Sequence, residues 1–496
     1  MKSTEEFKNY IGGVWQASAS KKTFVDLNPA NTDDVIGHFP NSVKKDVALA
    51  AAAAKEAYKS WRLVPAPKRG DMLRKAGLLL EARKDEIARE MTREMGKVFA
   101  ETKGDVQEGI DTAYYAATEG RRLFGHTVPS ELHDKFAMSI RQPIGVAGCI
   151  TPWNFPMAIP TWKIFPALLC GNSVVFKPAT ETPKAAHLFV EVLIEAGVPE
   201  GVINLVHGGD EAGKETVANE NVDLISFTGS SETGSMVAKS AAETYKRVSL
   251  EMGGKNAVVV MDDADLKLAL DGVLWGAFGT TGQRCTATSR LLLHEKIHDK
   301  FLEMLIKRTE KLKLGYGNDA GVDVGPLVSE AQLKRVQGYI EIGKRDGAKL
   351  LTGGKQATTG ELRKGFFFEP TIFAGAEWDM RISQEEIFGP VLSVIKFKTF
   401  EEATRILNGV KYGLSSSLYT KDVRYAFAAM RDFEAGITYI NAPTIGAEAH
   451  LPFGGTKQTG NGHREGGWQV YEFFSETKTC YIDFSGSLQR AQIDNY

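Results

Sequence analysis

The sequence predicts an α/β fold with parallel sheets in two successive stretches, and two outlying strand-like segments besides. Three observations predict it. The chain has 496 residues, enough for about three domain-sized units. Strand-length apolar runs alternate with helical patterns from about residue 145 to 260, and again from about 262 to 450. Such alternation builds parallel sheets covered on both faces. Two outlying stretches, about 122 to 143 and 470 to 485, are polar and alternating, the pattern of exposed strands.

The elements follow in order. Met1 to Glu6 has neither the basic nor the apolar region of an export leader, and no apolar run is long enough to span a bilayer. Residues from about 44 to 120 read as mostly helical, and the run Ala50 to Ala54 falls in a helix expected at the surface. Ser139-Ile140-Arg141 suggests an exposed hairpin strand. Ile144 to Ile150, Ser173 to Phe176, Val202 to Val206, Leu224 to Phe227 and Ala257 to Val260 read as strands, with Ala185 to Ala196 and Glu232 to Glu243 as helices between them. The two outlying segments suit an arm that pairs with another subunit or a hairpin packed within its own chain.

The chain is 43% hydrophobic and 25% charged, ordinary for a globular protein. Its 60 Lys and Arg against 62 Asp and Glu leave a formal charge of −2, which offers nothing to nucleic acid or an anionic membrane. The four cysteines stand far apart with no CxxC pair, so neither a zinc site nor a disulfide framework is indicated and a reducing, cytoplasmic setting is expected. The nine histidines show no ligand spacing such as HExxH, and no metal is expected.

Four segments carry residue types suited to chemistry. Cys285, in Gly282-Gln283-Arg284-Cys285-Thr286, is expected on a turn or helix start, where a helix N-terminus would lower its thiol pKa. A lone cysteine is otherwise a small buried apolar residue. Glu251 lies between a strand-like run and Gly253-Gly254, placed as a general base at a strand end or as a solvated turn residue. Asn154, between Pro152 and Pro156, is a rigidly held amide that can stabilise an oxyanion or close an Asx turn. Thr228-Gly229-Ser230 follows a strand and opens a helix, so its N–H groups can face a phosphate.

These motifs, with Glu386-Ile387-Phe388-Gly389-Pro390 and Pro452-Phe453-Gly454-Gly455 in the same order, resemble the aldehyde dehydrogenase superfamily over nearly the whole chain. The resemblance implies two Rossmann-like α/β lobes and a β oligomerisation arm. Residues 1–121 and 144–255 would bind the cofactor, 256–465 would be catalytic, and 122–143 with 466–496 would form the arm of a homodimer or homotetramer. It implies NADP or NAD as cofactor and a small aldehyde as substrate. It assigns Cys285 as nucleophile, Glu251 as general base and Asn154 as oxyanion donor. Lys177 and Glu386 would hold the two riboses, Gly229 and Ser230 the pyrophosphate, and Trp153 and Phe388 would flank the nicotinamide.

Two departures from the family pattern bear on specificity. Many NAD-specific members have a glutamate where Thr180 stands, and its absence removes a charge that would repel a 2′-phosphate, unless Glu181 replaces it. Most members have asparagine where Thr280 stands. Gly279 to Cys285, Asn441 to Glu448 and Leu451 to Lys457 resemble the semialdehyde-oxidising branch, of the α-ketoglutaric or α-aminoadipic type. Arg284 is then expected either to grip a substrate carboxylate or to support its loop, with Phe155, Ile159, Trp162 and Phe453 as apolar walls. A CoA-acylating enzyme, a cysteine hydrolase and a non-catalytic scaffold on the same fold remain as alternatives; retention of Cys285, Glu251 and Asn154 speaks against the last.

Overall fold

The computed structural model describes residues 5–494; Met1–Thr4, part of the segment read for a leader, and Asn495 and Tyr496 lie outside the described residues. Two seven-stranded sheets organise the chain. The first runs, edge to edge, Arg247–Glu251, Leu224–Thr228, Val146–Ile150, Ser173–Lys177, Ile203–Leu205, Asn9–Ile11 and Val14–Gln16. Its first five strands are parallel and the N-terminal hairpin closes it antiparallel. The chain winds outwards one way from Val146–Ile150, then returns to lay Leu224–Thr228 on that strand's other side. That reversal opens a crevice at the carboxyl ends of the strands, where doubly wound sheets bind ligands.

Alternation along each strand splits the apolar side chains between two faces. Val174 and Phe176 pack beneath the helices Ala66–Ala82, Phe99–Glu119 and Pro183–Ala196, while Val175, Ile225 and Phe227 face the opposite cluster. The alanine run falls in the expected surface helix, Lys44–Trp61, whose inner face carries Ala50, Ala51 and Ala54, fully buried against the sheet, while Ala52 is exposed. Small side chains let the helix backbone approach the strands, and this close packing is what the run provides.

The second sheet runs Lys349–Thr352, Thr371–Ala374, Val391–Phe397, Thr288–His294, Asn256–Val260, Ser415–Tyr419 and Ile437–Ile440. The strand at Ala257–Val260, grouped by sequence with the first α/β stretch, belongs here. Arg247–Glu251, which closes the first sheet, is separated from it by only Met252 to Lys255. Apolar periodicity finds both strands but not which sheet each joins.

The two outlying segments pair with each other. Ser475–Asp483 runs antiparallel to Lys135–Pro143 from Ser475↔Pro143 to Asp483↔Lys135, and Thr127–Pro129 adds a short third strand. Their apolar side chains Val128, Phe136, Ile140, Tyr481 and Ile482 are exposed. No helix among the described residues is long and apolar enough to cross a membrane.

Candidate active site

All the first-sheet candidates sit at the carboxyl ends of strands. Lys177 ends Ser173–Lys177 and Glu251 ends Arg247–Glu251; Asn154 follows Val146–Ile150, and Gly229 and Ser230 follow Leu224–Thr228. The second sheet contributes from its opposite ends: Cys285 lies three residues before Thr288–His294, and Glu386 and Phe388 precede Val391–Phe397. Two cavities meet at the cysteine. One is lined by Phe155, Ile159, Trp162, Glu251, Arg284 and Phe453, and the other by Trp153, Asn154, Gly229, Ser230, Glu386 and Phe388. Cys285 lines both.

The cysteine loop is held in a costly shape. Thr280 and Thr281 have φ of 52° and 57°, left-handed values that β-branched residues rarely adopt. Such strain, about 1–3 kcal/mol per residue, persists only where surroundings over-determine it. Here the Thr280 N–H donates to Glu101 Oε1 at 2.7 Å and the Thr281 hydroxyl to the Gly325 carbonyl at 3.0 Å. Gln283 Oε1 accepts the Val328 N–H at 3.0 Å. Gly282, at φ 67°, has no room for a side chain, since a Cβ would stand 2.2 Å from the Gly389 carbonyl.

Cys285 sits on a turn, not at a helix N-terminus, and its thiol shifts the other way from the sequence expectation. Burial, then the Glu386 and Glu251 carboxyls, push it up to about 12. Glu251 is buried, and among the described residues neither oxygen has a hydrogen-bond partner. Burial holds its carboxyl well above the ordinary range, Glu465 adds to this, and Lys163 and Arg464 oppose it. Burial thus disfavours the charged form of both groups.

The cofactor-side residues are likewise fixed from below. The Glu386 carboxylate accepts the Gly254 N–H at 2.9 Å. A Cβ on Gly253 would stand 2.2 Å from Glu386 Oε2, so this contact requires glycine. Phe388, at φ 61°, meets Trp153 edge to face at 5.3 Å. Gln332 and Arg335, which the sequence reading did not single out, donate to the Phe388 and Glu386 carbonyls at 2.6 Å each. Ser230 caps the helix Ser231–Ala242, its hydroxyl accepting the Thr233 N–H at 3.1 Å. The Lys177 ammonium lines a hollow on the other side of this turn and has no hydrogen-bond partner among the described residues, with Glu181 and Asp210 as its nearby charges. The Thr180 hydroxyl donates to Glu181 Oε2 at 3.1 Å, which places Glu181 beside the threonine.

Sequence reading also missed a buried ion pair. Lys163 lies within the wholly buried helix Ala158–Cys170 and binds both Glu465 and the Ser226 hydroxyl. A lysine in so apolar a helix signals that some partner exists, but not that it lies 302 positions away. A second missed signal was readable: Glu101, Asp105 and Glu108 recur at helical spacing along Phe99–Glu119.

The match to known proteins decides the family. Residues 15–480 fit the model of the aldehyde dehydrogenase family. The chain belongs to this family. It is an oxidoreductase acting on aldehydes. It is similar to an α-ketoglutaric semialdehyde dehydrogenase of Bacillus subtilis, at 42% identity over 96% of this chain and 98% of the relative. It is also similar to an α-ketoglutarate semialdehyde dehydrogenase of Haloferax volcanii, at 42% identity over 97% and 100%. Among solved structures, betaine aldehyde dehydrogenase from Staphylococcus aureus, determined in complex with NAD+, superposes with a TM-score of 0.95 at 36% identity, covering 98% and 96% of the two chains. The two-lobed α/β architecture of this aldehyde dehydrogenase is that of its solved relatives.

Proposed function

We propose that this aldehyde dehydrogenase oxidises a short aldehyde with a carboxylate at its far end, such as α-ketoglutaric semialdehyde, to the corresponding acid. NADP or NAD is the cofactor. One observation carries the reading: a largely apolar pocket lined by a part-buried arginine and a groove fit for a dinucleotide meet at a single thiol. Similarity to the two semialdehyde dehydrogenases supports the substrate.

The groove fits the cofactor on its own features. Gly229 has no space for a Cβ, the helix at Ser231 presents its N-terminus, and the Lys177 ammonium has no hydrogen-bond partner among the described residues. Lys177 and Glu386 would hold the riboses, Gly229 and Ser230 the pyrophosphate, with Trp153 and Phe388 beside the ring and Thr180 at the adenosine end. When bound, the nicotinamide accepts a hydride from the substrate carbon.

Cys285 supplies the nucleophile. Its Sγ gives up its proton to solvent and bonds to the carbonyl carbon. The oxygen becomes an alkoxide, stabilised by the Asn154 amide and the Cys285 backbone N–H. After oxidation the carbon is a thioester on Cys285. Glu251 in its ionised form takes a proton from water as the water attacks, and the C–S bond breaks to release the acid and leave the Cys285 thiolate, which regains a proton from Glu251. Lys163 and Arg464 favour the ionised form that this step needs.

The test mixes the protein with 2,5-dioxopentanoate and NADP or NAD, and follows absorbance of the reduced cofactor. Cys285→Ala should abolish it while dinucleotide binding persists; retained turnover would end this reading. A second reading, a semialdehyde that also carries an ammonium group, has one observation in its favour. Glu108 lines the aldehyde pocket with an unpartnered buried oxygen. Preference for 2-amino-6-oxohexanoate over 2,5-dioxopentanoate would select it. The exposed apolar strands of the arm support assembly as a homodimer or homotetramer; a monomer in sedimentation equilibrium would refute this.

A further inference from the structure

We propose that Glu101 and Thr280 are positioning residues that hold Arg284 with one edge towards the aldehyde pocket and thereby set the preference for a carboxylate-bearing substrate. The proposal rests on the substrate reading above and goes beyond it by naming what orients the anchor.

Arg284 has five N–H donors in a planar fork. Its Nε donates to Thr280 Oγ1 at 2.8 Å, and its Nη2 to Glu101 Oε1 at 3.2 Å. The same Glu101 oxygen accepts the Thr280 N–H at 2.7 Å, which closes a compact three-residue arrangement. The guanidinium carbon lies 4.9 Å from the Trp275 ring centre and 5.3 Å from that of Phe155. The fork is therefore held by aromatic rings as well as by its bonds. Its Nη1 makes no hydrogen bond among the described residues, and Arg284 lines the pocket with Cys285. Two N–H groups thus stay open to a ligand, in a pocket whose other walls are mostly apolar.

The side chains involved have little freedom. The Arg284 side chain is 12% exposed and that of Glu101 2%. Glu101 occupies the same helix as Asp105, which accepts the Ala158 N–H at 2.7 Å and pairs with buried Lys97 at 2.7 Å. Lys97 in turn stands 3.6 Å from the ring centre of Phe155, one position from Asn154. One helix face therefore braces both the loop that carries Cys285 and the loop that carries Asn154. The position where most family members have asparagine carries a hydroxyl here, and its acceptor lone pair faces Arg284 Nε. That departure and the arginine are parts of one device: the hydroxyl fixes the arginine's rotation and the carboxylate fixes its tilt. A bidentate grip depends on both.

The experiment compares 5-oxopentanoate with pentanal, equal in chain length and differing in the carboxylate. Thr280→Val keeps the branched shape but removes the acceptor; Thr280→Ser keeps the acceptor. Thr280→Val should lower the ratio of kcat/KM for 5-oxopentanoate over pentanal about tenfold, mainly through KM, and Thr280→Ser should keep the ratio within about twofold. Glu101→Gln should lower it by a similar factor. Arg284→Met should erase most of the ratio. If Arg284→Met erases the ratio but Thr280→Val and Glu101→Gln retain it, the positioning proposal is overturned while the substrate reading stands. If Arg284→Met retains it, the anchor itself is wrong. Equal losses on both substrates in Thr280→Val would show a merely structural role and overturn the proposal. Should Glu101→Gln fail to fold, the threonine pair still decides.

Discussion

Lys163→Met separates the stability of the site from its chemistry. The Lys163 ammonium is fully buried, bound to Glu465 and to the Ser226 hydroxyl, and the Glu465 carboxylate is 3% exposed. Removing the lysine leaves that carboxylate without its cation, and breaking one side of a buried pair costs about 3–5 kcal/mol. At about 2–4 °C per kcal/mol for a lobe of this size, the melting midpoint should fall by about 6–20 °C. The double change Lys163→Met with Glu465→Leu removes the stranded charge and should recover most of the loss, since an apolar pair can replace a buried ionic one. The pH–rate profile adds a second readout. Lys163 favours ionised Glu251, whose carboxyl burial already holds high. Without the lysine the carboxyl rises further. Glu251 acts as a base only when ionised, so the ascending limb should move to higher pH. Glu465→Leu alone removes a neighbour that raises Glu251 and should move the limb to lower pH. Differential scanning calorimetry and steady-state rates across pH 6–10 measure both effects. A Lys163→Met protein that melts with the wild type, or whose limb moves to lower pH, would refute the reasoning.

Three further outcomes concern the chemistry and the cofactor, and a fourth the floor of the groove. Glu251→Gln should give a pre-steady-state burst of reduced cofactor followed by little turnover, because deacylation loses its base; an unchanged steady-state rate would mean that another group activates water. The same change should speed iodoacetamide labelling of Cys285 at pH 8, since it removes a carboxyl that raises the thiol; slower labelling would contradict this electrostatic assignment. NADP should serve at least as well as NAD, and Thr180→Glu should shift preference to NAD at least tenfold by repelling the 2′-phosphate; a wild type that rejects NADP would point to Glu181 instead. Gly253→Ala should raise the Kd for the dinucleotide about tenfold, because the added Cβ pushes Glu386 off the Gly254 N–H; an unchanged Kd would show that Glu386 can move without loss.

The parallel strands of the first sheet were legible because fully buried parallel strands read as short unbroken apolar runs, as at Val174 to Phe176, whereas its antiparallel edge, Asn9–Ile11 and Val14–Gln16, was not read. The residues at their ends were legible because glycines and prolines punctuate the crevice there. What stayed hidden depends on distance along the chain. Composition gives no sign that Glu465 meets Lys163, or that Glu101 meets Thr280 and Arg284. The thiol of Cys285 departs from expectation for a similar reason. Its local neighbours suggest a polar turn, whereas the groups that govern it, Glu251 and Glu386, arrive from other segments. Propensity identifies the helix of the alanine run but not which of its residues turn inwards, because small side chains suit close burial as readily as exposure.

Glu251 is the last residue of one sheet and Asn256 the first of the next, so Met252 to Lys255 tie the lobes together across the floor of the crevice. Within that tie the Gly254 N–H grips Glu386, the Gly253 carbonyl accepts the Thr459 hydroxyl at 2.8 Å, and the Met252 N–H donates to the Thr459 carbonyl at 2.7 Å. Surface loops take up extra residues by bulging into water, but this segment has no outward side. One inserted residue would have to be absorbed by a strand, turning alternate side chains of a whole ladder to the wrong face, or by the contacts of Glu251 and Glu386 themselves. The chain thus has a place where its length cannot drift, set by the chemistry on one side and by the register of two sheets on the other.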